Sequence, residues 1–216
     1  MSSLPESSYA LAIHTSSPDL GLALSDFRGG DRLQTWSLGR QLANELHACL
    51  VDFLAPQGWS DLAFLAVAQG PGGFTGTRIG VVTARTLAQQ LQVPLFAVSS
   101  LEAIAWCHAC ANPADAQTAI AVEMAAQRGE VFGAIYQRVG DELVCQLADQ
   151  IYQPETWQRV LADWPTPHRL VRAEGELGAT ATGILAIAHQ QWRRGLRPDW
   201  SEALPFYGQH PVKDVV

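Results

Sequence analysis

The sequence has 216 residues, enough for one large domain or two small ones with a hydrophobic core. It is 48% hydrophobic and 16% charged, a composition typical of a folded globular protein, and this excludes a disordered chain. Its formal net charge of -7 excludes the broad positive surface that neutralises phosphates, so this chain alone is not expected to grip nucleic acid.

The N-terminal stretch shows no sign of a targeting or membrane segment. Residues 1–8 are polar and lack the basic start of a signal peptide, and no run approaches the roughly 20 apolar residues that span a bilayer. We therefore expect a cytoplasmic protein, in which thiols stay reduced. Its four cysteines are interpreted as small buried side chains: Cys49, Cys107, Cys110 and Cys145.

The first half of the sequence begins with strand signals. Three short apolar runs separated by turn residues predict an antiparallel meander, over residues 9–15, 20–25 and 33–37. A helix is predicted over 42–54, because leucines and Phe53 recur there at helical spacing before Pro56 and Gly58 end the pattern.

Two further strand–helix pairs are predicted next. Residues 61–68 are almost continuously apolar, as expected of a strand buried on both faces. A glycine-rich loop and a helix over 75–91 follow, and then a strand over 93–98 and a helix that Ser99 caps and that runs to about 109. Three strands followed by helix, strand, helix, strand and helix is the order of a ribonuclease-H-like α/β unit.

The best candidate linker covers residues 111–117, a run of small, polar and proline residues. Beyond it, three strands and two helices are predicted, over 118–122, 131–137, 142–147, 154–162 and 181–193. The sequence thus predicts an N-terminal domain over 1–110 and an α/β C-terminal domain over 111–216 that is smaller and degraded.

The sharpest local feature is the glycine-rich motif GPGGFTGTRIG at residues 70–80. It follows a buried strand and opens a helix, a position where backbone N–H groups can hold an anion. A Walker loop would need a lysine that this segment lacks, and a dinucleotide fingerprint would need a third glycine where Thr75 stands. Two interpretations stay open, a tight structural turn and phosphate binding, and we expect the structural turn, with at least one glycine at positive φ.

The helix after this loop carries a stripe of small residues at helical spacing, namely Gly76, Gly80, Ala84 and Ala88. Gly80 lies mid-helix, where glycine costs about 1 kcal/mol relative to alanine, so a closely approaching neighbour is expected. That neighbour is either a helix of this chain or one of a partner subunit, and the pattern alone does not decide between them. We predict a partner interface on this stripe, joined by Leu42, Leu46 and Leu50 of the preceding helix.

Four motifs in order resemble those of the TsaB/YeaZ family. The motif at residues 70–80 is similar to that family's G-P-G-S-F-T-G-x-R-x-G signature through Gly70, Pro71, Gly72, Phe74, Thr75, Gly76, Arg78 and Gly80, and Gly73 stands where the signature has serine. Residues 93–101 (VPLFAVSSL) resemble its next strand, residues 128–132 (RGEVF) resemble its R-x-G-E-V-Y/F element, and residues 205–207 (PFY) resemble its C-terminal P-x-Y.

This resemblance implies a fold and a function. The fold would be that of the actin-like ATPase superfamily, with two ribonuclease-H-like halves, and the family has been grouped with M22 glycoproteases. The function would be that of a subunit in the complex that transfers threonylcarbamoyl to the N6 of the tRNA adenosine 3'-adjacent to the anticodon. A metal-holding paralog, TsaD, would perform the chemistry and a small ATPase, TsaE, would complete the assembly. The chain would need no cofactor or metal, would meet tRNA only through the complex, and would pair with itself when alone.

The chain departs from the family pattern where catalytic groups of the superfamily stand. The first strand ends in His14-Thr15 where the family has D-T or D-S, and residues 125–127 read AAQ where it has D-A-R. Glu123 shares strand parity with position 125 and is a weak candidate substitute. The family's R-x-H reads Arg40-Gln41-Leu42 here. We therefore predict a scaffolding subunit without catalytic residues, the alternative being an active ATPase or an M22-type peptidase.

Other candidate chemistry is weaker. Cys107 and Cys110 have redox spacing, but no second cysteine pair completes a zinc site, so a structural role is predicted. The sequence contains no H-x-x-x-H pair for a metal helix. Arg193, Arg194 and Arg197 lie at a predicted helix end, where they complement the helix dipole.

Overall fold

The first sheet is built from both local hairpins and crossovers. The computed structural model describes Leu4, residues 8–115, residues 118–206 and Gly208. Sheet one contains β1 (Tyr9–His14), β2 (Leu20–Ser25), β3 (Arg32–Trp36), β4 (Leu62–Ala68) and β5 (Leu95–Val98) in the order β3-β2-β1-β4-β5. The first three strands are antiparallel, and β4 and β5 run parallel to β1. This order and these directions are those of the predicted ribonuclease-H-like unit.

Each face of sheet one is covered by helices, and strand alternation decides which side chains they meet. Helices α1 (Leu42–Leu54) and α2 (Phe74–Leu91) cover the face that carries Leu11 and Ile13 of β1. Helix α5 (Ala181–Arg193) covers the opposite face, where β1 contributes Ala10 and Ala12. The inner strands are therefore buried on both sides, which explains their nearly continuous apolar sequence.

Sheet two has four strands among the residues described. Its strands are β6 (Ala119–Ala125), β7 (Val131–Val139), β8 (Glu142–Tyr152) and β9 (His168–Ala173), in the order β8-β7-β6-β9. Helix α3 (Ser100–Ala111) packs on one face, and α4 (Pro154–Ala162) packs on the other through the buried Trp157. That the second unit is smaller and degraded stays a prediction.

Two helices connect the sheets. Helix α3 lies between sheet two and α5, and α5 in turn covers sheet one, although the sequence places α5 in the C-terminal domain. The division into 1–110 and 111–216 stays a prediction. Helix α3 runs two residues past its predicted end, so the candidate linker begins at Asn112, and its last two residues, 116 and 117, lie outside the described part of the chain.

Two findings complete the comparison with the sequence. Strand β9 was not predicted, because its six residues, HRLVRA, lack the apolar alternation of a half-buried strand. No helix within the described ranges is long and apolar enough to cross a membrane.

Candidate functional site

The glycine-rich motif lies at the meeting point of four segments of the chain. Its backbone is held by the end of β1, where Gly73 N donates to Ser16 O at 2.7 Å. It is also held by the start of α3, where Ser100 N donates to Gly70 O at 2.8 Å. The C-terminal segment adds a third bond just before the motif, since Phe206 N donates to Gln69 O at 2.7 Å. The loop thus joins β1, α3 and the C-terminal segment to α2.

Close approach of the backbone explains these glycines. A Cβ atom added at Gly72, Gly76 or Gly80 would lie closer than 3.0 Å to Thr15 or Ser16 at the end of β1. A Cβ at Gly70 would come equally close to the carbonyl oxygen of Phe206, and Gly70 has φ +100°, so the expected positive φ is confirmed.

The stripe of small residues on α2 packs inside this chain. Gly76 and Gly80 face Thr15, whose Oγ1 donates to Gly76 O at 2.8 Å. The remaining stripe and leucine positions are at most 4% exposed and belong to the core under sheet one: Ala84, Ala88, Leu42, Leu46 and Leu50. The inference that the mid-helix glycine receives a partner's helix was therefore wrong, because β1 of the same chain is the close neighbour.

The solvent side of the same helices is apolar in places. Val51 on α1 and Val82 on α2 are each 58% exposed, and Phe74 at the start of α2 is 40% exposed. The guanidinium of Arg78 lies 5.4 Å from the centre of the Phe74 ring, and Thr75 beside it is exposed. Pro71, by contrast, is buried. A partner that contacts α1 and α2 would meet these exposed side chains, and the interface itself stays a prediction.

A cleft of about 560 Å³ opens between the ends of β1 and β6. Residues 16–18 and 72–74 form one wall, and residues 124–128 form the other. Among the described residues that line it, none carries a carboxylate, and Arg128 is the charged one. Ala125 is exposed in this wall, at the position where the family resemblance placed an aspartate.

His14 ends β1 and is completely buried. Neither ring nitrogen has a hydrogen-bond partner among the residues described. Burial lowers the pKa of His14 from 6.5 to about 4, and the nearby Asp19 opposes this shift with a smaller effect. The imidazole is therefore neutral at pH 7, and His14 is not among the residues that line the cleft.

Glu123 does not replace the absent carboxylate of position 125. Trp157 Nε1 donates to Glu123 Oε2 at 2.8 Å, and Arg172 Nε forms an ion pair with Oε1 at 2.7 Å. Both oxygens are thus engaged on the α4 side of sheet two, and Glu123 is not among the residues that line the cleft. This arrangement gives Glu123 a structural part, namely to satisfy the indole N–H of a buried tryptophan.

The cysteines and histidines form no metal site in the part of the chain that the structure describes, where no group of three or more potential ligands is close enough. Cys107 is partly buried, its Sγ lies 3.8 Å from Thr182 Oγ1, and burial raises its thiol pKa. Cys110 and Cys145, in contrast, are exposed, so the prediction that all four cysteines are buried was wrong. A thiol with a raised pKa is a poor nucleophile, which favours the structural role predicted for Cys107.

Sequence reasoning missed an anchor between the turn after β1 and the segment before α5. Asp19 accepts hydrogen bonds from Leu177 N at 3.1 Å and Gly178 N at 2.6 Å, and it also accepts one from Ser17 Oγ. Residues 17–19 were interpreted only as turn residues. The hydrogen bonds from Leu177 and Gly178 to Asp19 connect residues about 160 positions apart. A local sequence pattern cannot predict such a contact.

The chain was compared with known proteins. Residues 40–182 match the family described as "TsaD: tRNA N6-adenosine threonylcarbamoyltransferase". An Escherichia coli protein named "tRNA threonylcarbamoyladenosine biosynthesis protein TsaB" is 32% identical over 74% of this chain and 78% of its own length. A Bacillus subtilis protein of the same name is 38% identical over 56% of this chain, and the match spans half of that protein's length.

A solved structure described as "YeaZ from Pseudomonas aeruginosa" superposes with a TM-score of 0.74 at 26% identity, over 93% of this chain and 99% of that one. The predicted fold class, α/β with two ribonuclease-H-like units of the actin-like ATPase superfamily, agrees with this neighbour. Because the family model covers residues 40–182 and the E. coli relative covers most of both chains, this chain belongs to the TsaB/YeaZ family.

Proposed function

We propose that this chain is a subunit of the machinery that makes threonylcarbamoyladenosine in tRNA, and that it works in the cytoplasm. The observation that carries the proposal is the 32% identity to the E. coli protein named for this biosynthesis, over 78% of that protein. The family model points to the same modification, since its description is that of the threonylcarbamoyltransferase. Transfer to the N6 of the adenosine 3'-adjacent to the anticodon is the reaction that the complex would perform.

The chain's own part in this reaction is proposed to be non-catalytic. Three observations support this: no described residue that lines the cleft carries a carboxylate, His14 is buried and neutral, and Glu123 is engaged with Trp157 and Arg172. General acid–base or metal chemistry would need an accessible group with a pKa near the working pH, or a set of metal ligands. The chemistry is therefore assigned to a TsaD-like paralog, with a TsaE-like ATPase as a further partner.

The surface proposed for the paralog is the outer side of α1 and α2. Val51, Val82 and Phe74 are three of the eight large hydrophobic side chains that are exposed within the described ranges. An apolar patch on neighbouring helices is a usual docking surface. The same surface would pair two copies of this chain when the paralog is absent. Contact with tRNA is assigned to the complex, because a chain of net charge -7 has little attraction for phosphates.

The docking surface is tested with two matched substitutions. Val82→Asp places a charge on α2, and Val139→Asp places the same charge on β7, where the valine is 59% exposed. Because Val82 is at the proposed interface, we expect its substitution to weaken binding to the TsaD-like paralog by roughly 10-fold or more, measured by calorimetry. Circular dichroism should be unchanged in both variants. Equal, wild-type binding by the two variants contradicts this surface, and an identical loss in both indicates a nonspecific effect of charge.

The function is tested by reconstitution. The paralog and ATPase from the same organism, supplied with tRNA, ATP and threonylcarbamoyl adenylate as the donor, should form the modified adenosine only when this chain is added. The chain alone should hydrolyse neither ATP nor protein above background. Metal-dependent turnover by the chain alone that disappears in Glu123→Gln would instead establish the alternative, an active ATPase or M22-type peptidase.

A further inference from the structure

Two acidic residues, Glu102 and Asp149, bond to the same serine where α3 begins beside sheet two. Ser99 caps α3, and its Oγ accepts hydrogen bonds from the amides of Leu101 at 3.0 Å and Glu102 at 3.3 Å. The same hydroxyl donates to Oδ2 of Asp149 in β8. One oxygen atom thus joins the backbone of Glu102 to the carboxylate of Asp149, so the two acidic residues are held in each other's vicinity by the cap itself.

The carboxylate of Asp149 accepts hydrogen bonds from two uncharged hydroxyl groups. Tyr136 in β7 donates its hydroxyl to Oδ1 at 2.8 Å, and Ser99 donates to the other oxygen. Within the described part of the chain, no arginine or histidine forms an ion pair with Asp149 or Glu102. Both acidic side chains are partly buried, so the negative charge of one acts on the other with little screening by water.

The other titratable groups around α3 do not offset this charge. Burial, and then the charges of Asp149 and Glu102, raise the pKa of Cys145 in β8. On the α5 side, His189 and Arg193 lie around a separate cavity with Trp106, one turn or more further along α3. On sheet two, Arg172 of β9 pairs with Glu123 of β6, which reaches toward Trp157 on the α4 face.

We propose that Glu102 and Asp149 together hold one proton at neutral pH, and that loss of this proton to solvent loosens the junction between α3 and β8. The junction connects the two halves of the fold, because Ser99 follows β5 of sheet one and Asp149 belongs to sheet two. The device is therefore a proton-sensitive contact between the halves, tight at acid pH and looser at alkaline pH.

The direction of the titration follows from burial and charge. Burial, and then the charge of Asp149, raise the pKa of Glu102 from 4.5 to about 7, and burial raises the pKa of Asp149. Between pH 4.5 and 7 the folded chain keeps a proton that the unfolded chain has released. This contribution to stability is complete below pH 4.5, is lost as the pH rises to about 7, and stays absent above.

The test compares wild type, Glu102→Gln and a matched control, Glu45→Gln, which changes an exposed glutamate in the first turn of α1. Because glutamine imitates the protonated acid, Glu102→Gln is expected to match wild type at pH 4.5 and to raise the ratio of folded to unfolded chain roughly 100-fold at pH 8. Urea unfolding at both pH values measures this ratio, and Glu45→Gln should follow wild type at both.

Hydrogen exchange and a second variant keep the proposal falsifiable if Glu102→Gln folds poorly. In wild type, exchange of amides in the first turn of α3 and in β8, corrected for its intrinsic pH dependence, should accelerate roughly 10-fold between pH 6 and 8. In Asp149→Asn this acceleration should become smaller and shift to lower pH, because the charge of Asp149 is gone while the burial of Glu102 remains. The proposal is overturned if wild type shows no local acceleration, if the change is spread evenly over both sheets, or if Asp149→Asn keeps the full effect.

Discussion

The two strand ends that face each other across the cleft differ in how tightly they are packed. The end of β1, at His14, Thr15 and Ser16, is at most 2% exposed and is approached by glycines of α2. The end of β6 is open, and Ala125 there is exposed. Both ends lack an acidic residue, but a substitution at β1 meets fixed backbone, whereas one at β6 meets solvent. The wall of the cleft at the end of β1 is therefore part of the core, whereas the wall at the end of β6 is part of the surface.

The largest expected effect concerns the charge of His14. Burial lowers the pKa of His14 to about 4. Between pH 6.5 and 4 the imidazole is therefore protonated in the unfolded chain but stays neutral in the folded chain. Stability from this group is present above pH 6.5 and falls as the pH drops to about 4, by roughly 3 kcal/mol. Urea unfolding between pH 4 and 7 measures this loss, which should be absent in His14→Leu.

A matched substitution controls for other acid-sensitive groups. His47 is exposed on α1, so His47→Leu should keep the acid loss seen in wild type. If His14→Leu loses as much stability at acid pH as wild type does, the imidazole at the end of β1 is not buried in its neutral form. The contrast between the two walls of the cleft would then be contradicted.

The next effect concerns the close approach of α2 to β1. Gly80→Ala adds a methyl group against Thr15, so we expect a net loss of about 2 kcal/mol, even though alanine is the better helix former by about 1 kcal/mol. Gly73→Ala is the control, because its Cβ would lie 3.6 Å from the nearest atom and its φ is -62°. Thermal and urea unfolding compare the two. Equal stability of both variants would mean that the end of β1 shifts to make room for the added methyl group.

The smallest effect is expected at the open wall. Ala125→Asp returns an acidic residue to the end of β6, and because the site is exposed, its stability should change by less than about 0.5 kcal/mol. Ala134→Asp on the adjacent β7 is buried and should unfold the protein or cost several-fold more. We also expect no ATP hydrolysis from Ala125→Asp, measured by phosphate release. Hydrolysis by this variant would show that one carboxylate suffices to activate the cleft.

Local sequence patterns predicted most of the helices and strands, but fewer of the contacts between them. The helices Leu42–Leu54, Pro154–Ala162 and Ala181–Arg193 have their predicted bounds, because apolar spacing and flanking proline or glycine mark them in the sequence. The stripe on α2 was predicted to contact a partner, but it packs inside this chain, because periodicity gives an apolar face without naming what covers it. Its cover, Thr15, is about 60 residues away in sequence, as the Thr15–Gly76 hydrogen bond shows.

Part of the candidate site could likewise be predicted from local sequence patterns. The alanine at position 125 and the glycines of the motif could be read directly, and strand parity placed Glu123 on the same face as position 125. The engagement of Glu123 with Trp157 could not be predicted, because it depends on the packing of α4. The pairing of Glu102 with Asp149 could not be read, since each is an ordinary polar residue in its own segment and only the packing of α3 on β8 brings them together. The edge strand β9 lacked a signal because its arginines interrupt the apolar pattern.

Helix α5 also constrains when this protein can finish folding during its synthesis. The face of sheet one that contains Ala10, Phe64 and Phe96 is covered by a helix that begins only at Ala181, long after β5 has been made. Until α5 leaves the ribosome, the nascent sheet exposes this apolar face to the cell, where it can bind chaperones or other nascent chains. The N-terminal half therefore depends for its completion on one of the later segments to be translated.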